Sequence, residues 1–369
     1  MHFLPNARHP SLESLLCENH GRKYCCLVGN GTTALTIALM SLGIRGGNVA
    51  IPTAVCPNVV MAAYFSGNKP IYLDIDPVNL GLSYEALCDC KEKIDAVVAV
   101  HAYGSICDIE RLQRYCDDSD IPLVEDAAVA MGAVSGDRPV GSFGKVSILS
   151  FGAGKIISVN HGGAILTDDI DLYQKICIVE NGLSSSDSND EHLIDQFGRY
   201  HTKLYNEHYG KDHWKFSDEF KKKALSLRPN YLSRFDIAYA DLIVNELTFL
   251  GNNLSSRREK ACILADLFSK NNPNGIKLNA PTAGSAHWRF NVFISEGRNR
   301  VLKSLLRKGY RISSWFPPAD QFFEGRRNAH SSSGVADCIG EQILNIWVNH
   351  EVDIDYLRKI HEELLREPN

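Results

Sequence analysis

The chain has 369 residues, 44 % hydrophobic and 22 % charged, which is enough for one large domain and a smaller one around ordinary cores. Its 39 basic and 44 acidic side chains leave a net charge of -5, without the basic footprint of a nucleic-acid or anionic-membrane binder. No apolar run reaches the length of a membrane span, and residues 1–16 lack the basic-then-apolar layout of a secretory leader, so a cytoplasmic protein is expected.

In chain order, YCCLVG (24–29) reads as a strand and the run 32–44 as a helix ending near Gly43. Further strands are predicted at 48–53, 69–76, 96–104, 121–128, 145–151 and 162–168, with helical periodicity between several of them, as at 109–120. Strands interleaved with helices imply an α/β fold with a mostly parallel, helix-covered sheet. Ligands of such sheets bind beyond the carboxyl ends of the strands, and the strands at 69–76 and 121–128 end in acidic residues.

Residues 183–228 break this pattern. They are rich in Ser, Asp, His and Lys without a long apolar face, and read as a polar insertion with some helix, on the surface or over a site entrance. His201, His208 and His213 fall in this stretch, where solvated side chains are expected rather than metal ligands. From about 234 a long helical pattern leads on to a strand at 288–294, a helix at 298–309 and a last helix at 353–367. This predicts a large domain over 1–235 and a smaller one over 236–369. The 11 cysteines have no two-residue gap of a zinc or redox motif, and free thiols are expected.

Four features carry candidate chemistry. GNGTTAL (29–35) places glycines and free N–H groups at a helix start, a cradle for a phosphate, although such turns are commonly only turns. VEDAA (124–128) ends a buried-looking strand with Asp126, which could pair with a protonated ring nitrogen or simply cap the next helix. SFGAGK (150–155) sets Ser150 and Lys155 in a small-residue loop, where a desolvated lysine could form a Schiff base. The paired glycines of HGGAILTD (161–168) let the chain turn back past a bulky group.

Taken in order, GNGTTALTIALMSLGIRGGNVAIPTAV, KPIYLDIDPVNLGL, VAVHAYG, PLVEDAAVAMGA, RPVGSFGKVSILSFGAGK and GGAILTDD resemble the DegT/DnrJ/EryC1/StrS aminotransferases, closely over 23–182 and more thinly beyond. The resemblance implies an aspartate-aminotransferase-like fold of type I, with a smaller C-terminal α+β domain. It also implies pyridoxal 5′-phosphate (PLP, cycling with its amine form PMP) on Lys155, with Asp126 at the pyridine nitrogen and Gly31, Thr32 and Ser150 at the phosphate. Asn230 and Arg234 lie in the stretch that such enzymes lend to a partner subunit, so a homodimer with shared active sites is implied. SSWFPPADQ (313–321) resembles the substrate loop, which puts Trp315 and Phe316 at the substrate. The implied reaction carries an amino group from an amino acid, often glutamate, to a keto-sugar-like acceptor, nucleotide-linked or free.

Departures from the pattern bear on the site. Cys56 stands where an aromatic residue usually stacks on the cofactor ring, and Val129 and Met131 replace the usual glutamine and histidine after DAA. Gly152 and Ala153 are smaller than is common before the lysine, and the N-terminal arm is short. Two other readings follow: a PLP-dependent dehydratase or deaminase, in which a histidine usually replaces the lysine, and a non-catalytic regulatory homologue that keeps the fold.

Overall fold

The computed structural model describes residues 8–208, 216–272, 275–279, 283–325 and 334–366, with side chains at 206–208 left aside. The strands are β1 (Tyr24–Val28), β2 (Asn48–Pro52), β3 (Lys69–Leu73), β4 (Ala96–Val100), β5 (Leu123–Asp126), a short hairpin of β6 (Val134–Ser135) and β7 (Arg138–Pro139), β8 (Val146–Ser150) and β9 (Gly163–Thr167). Seven of them form one sheet in the order β1-β9-β8-β5-β4-β2-β3. From β3 to β8 every pairing is parallel, while β9 runs antiparallel to both β8 and β1.

The expected parallel, helix-covered sheet is present, but its strands stop earlier than the apolar runs. Residues 96–104 give a strand only to Val100, after which Ala102–Gly104 make a tight turn with Tyr103 at φ 58. The strand at 69–76 ends at Leu73 and that at 121–128 at Asp126. Each early stop turns the chain into loops at one end of the sheet. The helix Gly31–Ser41 buries Thr32 through Leu39 against the sheet, so its N-terminus is fixed as firmly as the core itself. Asn30 caps it: its Oδ1 accepts from Thr33 N–H at 2.8 Å, and its Nδ2 donates to Tyr231 O at 2.8 Å.

A second sheet is antiparallel: β10 (Ile276–Leu278), β11 (Arg289–Ile294), β12 (Ile312–Ser313) and β13 (Ile343–Trp347), in the order β10-β11-β13-β12. Only β11 was legible as a strand in the sequence. The others are two to five residues long, too short to display a period. Helices Leu250–Lys270, Arg298–Arg307 and Ile354–Arg366 cover this sheet and share its hydrophobic cluster around Phe268, Phe290 and Leu357. The long helical pattern from 234 resolves into a turn at Ile237–Tyr239 and the helices Ala240–Thr248 and Leu250–Lys270.

The stretch 183–228 is not a solvated appendage. It forms the helices Ser188–His208 and Ser217–Ser226. Phe197, His201 and Leu204–Tyr205 recur at one face of the first, and Phe220 and Ala224 come from the second, all buried in the main core. The Phe220 ring lies 5.3 Å from Phe197 and 5.2 Å from Phe323. A stripe of few, large apolar residues was masked by the polar majority around it. His201 is buried rather than solvated, and burial pushes its pKa down to about 4, so the ring is neutral at neutral pH. His213 and the His208 side chain lie outside the described residues, and no metal-binding cluster occurs among the described ones. Because Phe220 is fully buried, Phe220→Ala is expected to cost about 3–5 kcal/mol, read as a lowered denaturant midpoint. An unchanged midpoint would mean the helices do not belong to the core.

Candidate active site

The loops leaving β2, β4, β5 and β8 and the start of the helix Gly31–Ser41 enclose a cavity of about 500 Å³. Gly31, Thr32, Cys56, Asp126, Val129, Ser150, Lys155, Asn230, Trp315 and Phe316 all line it. Arg234 is the exception among the residues singled out from the sequence. Its backbone N–H donates to Ser184 O at 2.8 Å, it is absent from the lining, and its Nε is buried without a hydrogen-bond partner among the described residues. Met131 is core, 2 % exposed.

Strand alternation decides which of the two carboxylates ending β5 faces the cavity. Glu125 is fully buried and accepts from Gly141 N–H and Phe143 N–H, both at 2.7 Å, and lies 2.9 Å from His101 Nε2. It is satisfied inside the protein. Asp126 lines the cavity instead, and the only hydrogen bond to its carboxylate among the described residues is from Ala128 N–H to Oδ1 at 2.9 Å. Burial raises the Asp126 pKa, against the pull of that N–H and of the Lys155 and His101 charges. A buried carboxylate with spare acceptor capacity calls for a cationic N–H donor, and a protonated ring nitrogen is one.

Lys155 sits half-buried in a loop clamped on both sides. Trp288 Nε1 donates to Gly154 O, and Asn253 Nδ2 donates to Ile156 O at 2.9 Å. Among the described residues the Lys155 amine makes no hydrogen bond or ion pair, so it is uncommitted. It lies near enough to Cys56 and Asp126 for its charge to lower the pKa of both, although burial still raises that of Cys56 and keeps the thiol protonated. The glycines around it are steric requirements. A Cβ on Gly31 would stand 2.8 Å from Ser150 Cβ, and one on Gly163 would stand 2.7 Å from the Asn30 carbonyl. Gly31, Thr32 and Ser150 line the cavity together at the helix start, where N–H groups without helical partners favour an anion.

The far wall joins the expected 313–321 loop to residues the sequence did not assign to the site. Tyr103 OH accepts from Phe316 N–H at 2.8 Å, and Asn345 Oδ1 accepts from Trp315 N–H at 2.8 Å, which pins the 313–321 loop over the cavity. The helix Ser188–His208 adds Glu191, Ile194 and Asp195, and Asp190 Oδ1 accepts from Asn230 Nδ2 at 2.7 Å. Tyr103, Trp288 and His161 also line it. Glu191 and Asp195 were detectable in principle, as a pair four residues apart on a helix; Tyr103, one turn beyond a strand end, carried no local signal.

Residues 6–365 match the model of the DegT/DnrJ/EryC1/StrS aminotransferase family. The chain belongs to this family. It is 36 % identical over 164 residues to the GDP-perosamine synthase of Vibrio cholerae, covering 43 % of this chain and 44 % of that protein. It is 32 % identical over 161 residues to the L-glutamine:2-deoxy-scyllo-inosose aminotransferase of Streptomyces fradiae, covering 43 % of this chain and 38 % of that protein. The matched segments thus span less than half the length of these curated relatives. Among solved structures, an E. coli GDP-4-keto-6-deoxy-D-mannose-3-dehydratase with bound hydrated PLP superposes with a TM-score of 0.75 at 19 % identity, over 98 % of this chain and 92 % of that one. The fold is therefore that of the type I PLP enzymes, as the order of motifs had implied.

Proposed function

We propose that the chain is a PLP-dependent aminotransferase that moves an amino group from an amino acid, glutamate foremost, to the keto group of a sugar or sugar-like acceptor. The observation that carries this reading is one cavity holding an uncommitted lysine amine, an under-satisfied buried carboxylate and a phosphate-sized cradle. Family membership and relatives named for perosamine and inosose substrates support it.

Lys155 would hold the cofactor's aldehyde carbon, Asp126 its ring nitrogen, and Gly31, Thr32 and Ser150 its phosphate. Cys56 and Val129 would border the ring, in place of an aromatic stack and an amide. When bound, PLP supplies a carbonyl that takes up amines and a ring that accepts electron density. Asp126, facing the cavity, would hold a proton on the ring nitrogen. Lys155 Nζ, once free, would take the proton from the donor's α-carbon and return it to the carbon two atoms away, across the nitrogen, as general base and then acid. The clamped loop fixes the backbone that carries that amine, and Trp315 and Phe316 line the same cavity. Lys155 itself speaks against the dehydratase reading, in which a histidine usually stands there.

A homodimer completes the proposal. Ile237, Leu242 and Phe249 are 49 %, 53 % and 55 % exposed, an apolar surface following directly on Arg234. A second copy seated there would lie beside the half-buried Arg234 side chain. No helix among the described residues is long and apolar enough to cross a membrane, and the described cysteines are free, which fits a reducing cytoplasm.

The test is spectral. Protein loaded with PLP is expected to absorb at the visible edge, lose that band with glutamate or another amino donor, and regain it with a keto acceptor that gains an amine. A chain that takes up no PLP, or an acceptor that loses a hydroxyl instead of gaining nitrogen, would overturn the assignment.

A further inference from the structure

His161 lines the cavity but has no part in the reaction as described so far. It stands between Asn160, at φ 66, and Gly162, at φ 98, at the turn into β9. A Cβ on Gly162 would stand 2.9 Å from the Phe235 ring and 3.1 Å from the Phe151 ring. The turn is therefore sterically fixed, and the imidazole is held with it. The ring stacks on Tyr239, with centroids 4.5 Å apart and planes at 20°, and is tilted against Phe235 at 5.7 Å.

Its protonation state follows from one hydrogen bond. His161 Nε2 lies 3.0 Å from the backbone N of Asp236. A peptide N–H can only donate, so Nε2 must be the bare acceptor nitrogen. The groups facing the ring are the Asp236 and Glu191 carboxylates, which raise its pKa, and the aromatic rings named above. Burial outweighs the carboxylates and leaves the pKa below the ordinary value. The ring is then neutral at pH 7, and its single proton sits on Nδ1. Among the described residues Nδ1 has no partner, although His161 is 6 % exposed. Nδ1 itself keeps some exposed surface, and the cavity that His161 lines is where it finds an acceptor.

We propose that His161 is a substrate-binding residue whose Nδ1–H donates to an oxygen of the keto acceptor, either the ketone or a hydroxyl beside it. The assignment rests on the transaminase reading. The chemistry that suits this donor is a neutral, hydroxylated ketone. The carboxylate of Glu191, close enough to act on the ring, would repel a phosphate or carboxylate oxygen placed there. Because its proton is on the cavity side and Nε2 is engaged, His161 binds and orients; it does not serve as a base.

The experiment separates the two half-reactions by stopped-flow absorbance, with wild type, His161→Phe and His161→Asn. The asparagine amide can place a donor near the Nδ1 position, and phenylalanine cannot. His161→Phe is expected to take up PLP like wild type, react with the amino donor within about twofold of wild type, and lose about 10–100-fold in the acceptor step, with His161→Asn recovering part of that loss. In parallel, ¹⁵N NMR of the imidazole in cofactor-free protein is expected to show the Nδ1–H tautomer at pH 7. A responsive wild type matched by His161→Phe in the acceptor step would overturn this assignment alone, as would an Nε2–H or cationic ring at pH 7. Slowing of the donor step instead would move the contact to the amino acid and overturn the acceptor assignment. A wild type that does not respond to any amino donor would defeat the transaminase reading, and this assignment with it.

Discussion

Lys155→Ala is expected to lower amine exchange by about 10⁴-fold or more, because one side chain serves both as the covalent anchor and as the proton carrier. The phosphate cradle at Gly31, Thr32 and Ser150 and the Asp126 carboxylate are untouched by this change, so PLP is still expected to bind, more weakly and without its linkage to protein. The loop also survives: its clamps, Trp288 Nε1 on Gly154 O and Asn253 Nδ2 on Ile156 O, are made to the backbone on either side of the lysine. Stability close to wild type together with lost exchange is thus the expected pair of results, read by thermal denaturation and by the spectral assay. Undiminished transamination by Lys155→Ala would remove the lysine from the mechanism.

Asp126→Asn is expected to separate stability from function. Burial raises the Asp126 pKa in the cofactor-free protein, so the folded state binds this proton more tightly than the unfolded chain does. The stabilising contribution is fully present below the ordinary carboxylate pKa and is lost as pH rises through the raised one. At neutral pH the buried carboxyl therefore weighs against the cofactor-free fold. An amide of the same shape relieves that cost, keeps an acceptor for Ala128 N–H and raises Tm at pH 7, with a gain that shrinks as the pH is lowered. The same amide cannot hold a proton on a ring nitrogen. Turnover is expected to fall by about 10²–10⁴-fold, a scale typical of a lost acid–base or electrostatic partner. A variant with unchanged Tm and unchanged turnover would show that Asp126 is only the helix cap suggested by its hydrogen bond to Ala128.

Much of the sheet was legible, because the parallel strands are continuous apolar runs buried on both faces, as at AVVAV in β4. The site was legible where chemistry is concentrated in short motifs: Gly31, Thr32, Asp126, Ser150 and Lys155 all come together in one cavity. What could not be read was built from distance in sequence. Tyr103 meets Phe316 across 213 residues, and Asn30 meets Tyr231 across 201. The helix Ser188–His208 looked like solvated insertion because its apolar face is a thin stripe among charged residues, yet it lines the cavity and supports the core together. The four-stranded sheet was mostly missed because its strands, β11 apart, are too short to show alternation.

Arg234 marks the boundary of what one chain can supply. It was singled out with Asn230, but only Asn230 lines the cavity of its own chain. Its side chain is half-buried, its Nε has no partner among the described residues, and the exposed apolar residues that follow it fit a surface closed by a second copy. The shared-site proposal extends to that copy and not to any group within this chain.

Borohydride reduction of the PLP-loaded protein, followed by digestion and mass spectrometry, addresses the linkage at Lys155 most directly. A pyridoxyl group fixed on the peptide that contains Lys155, and absent from Lys155→Ala, is the expected result. A label carried by another lysine, or no label on a protein that has visibly taken up the cofactor, would contradict it.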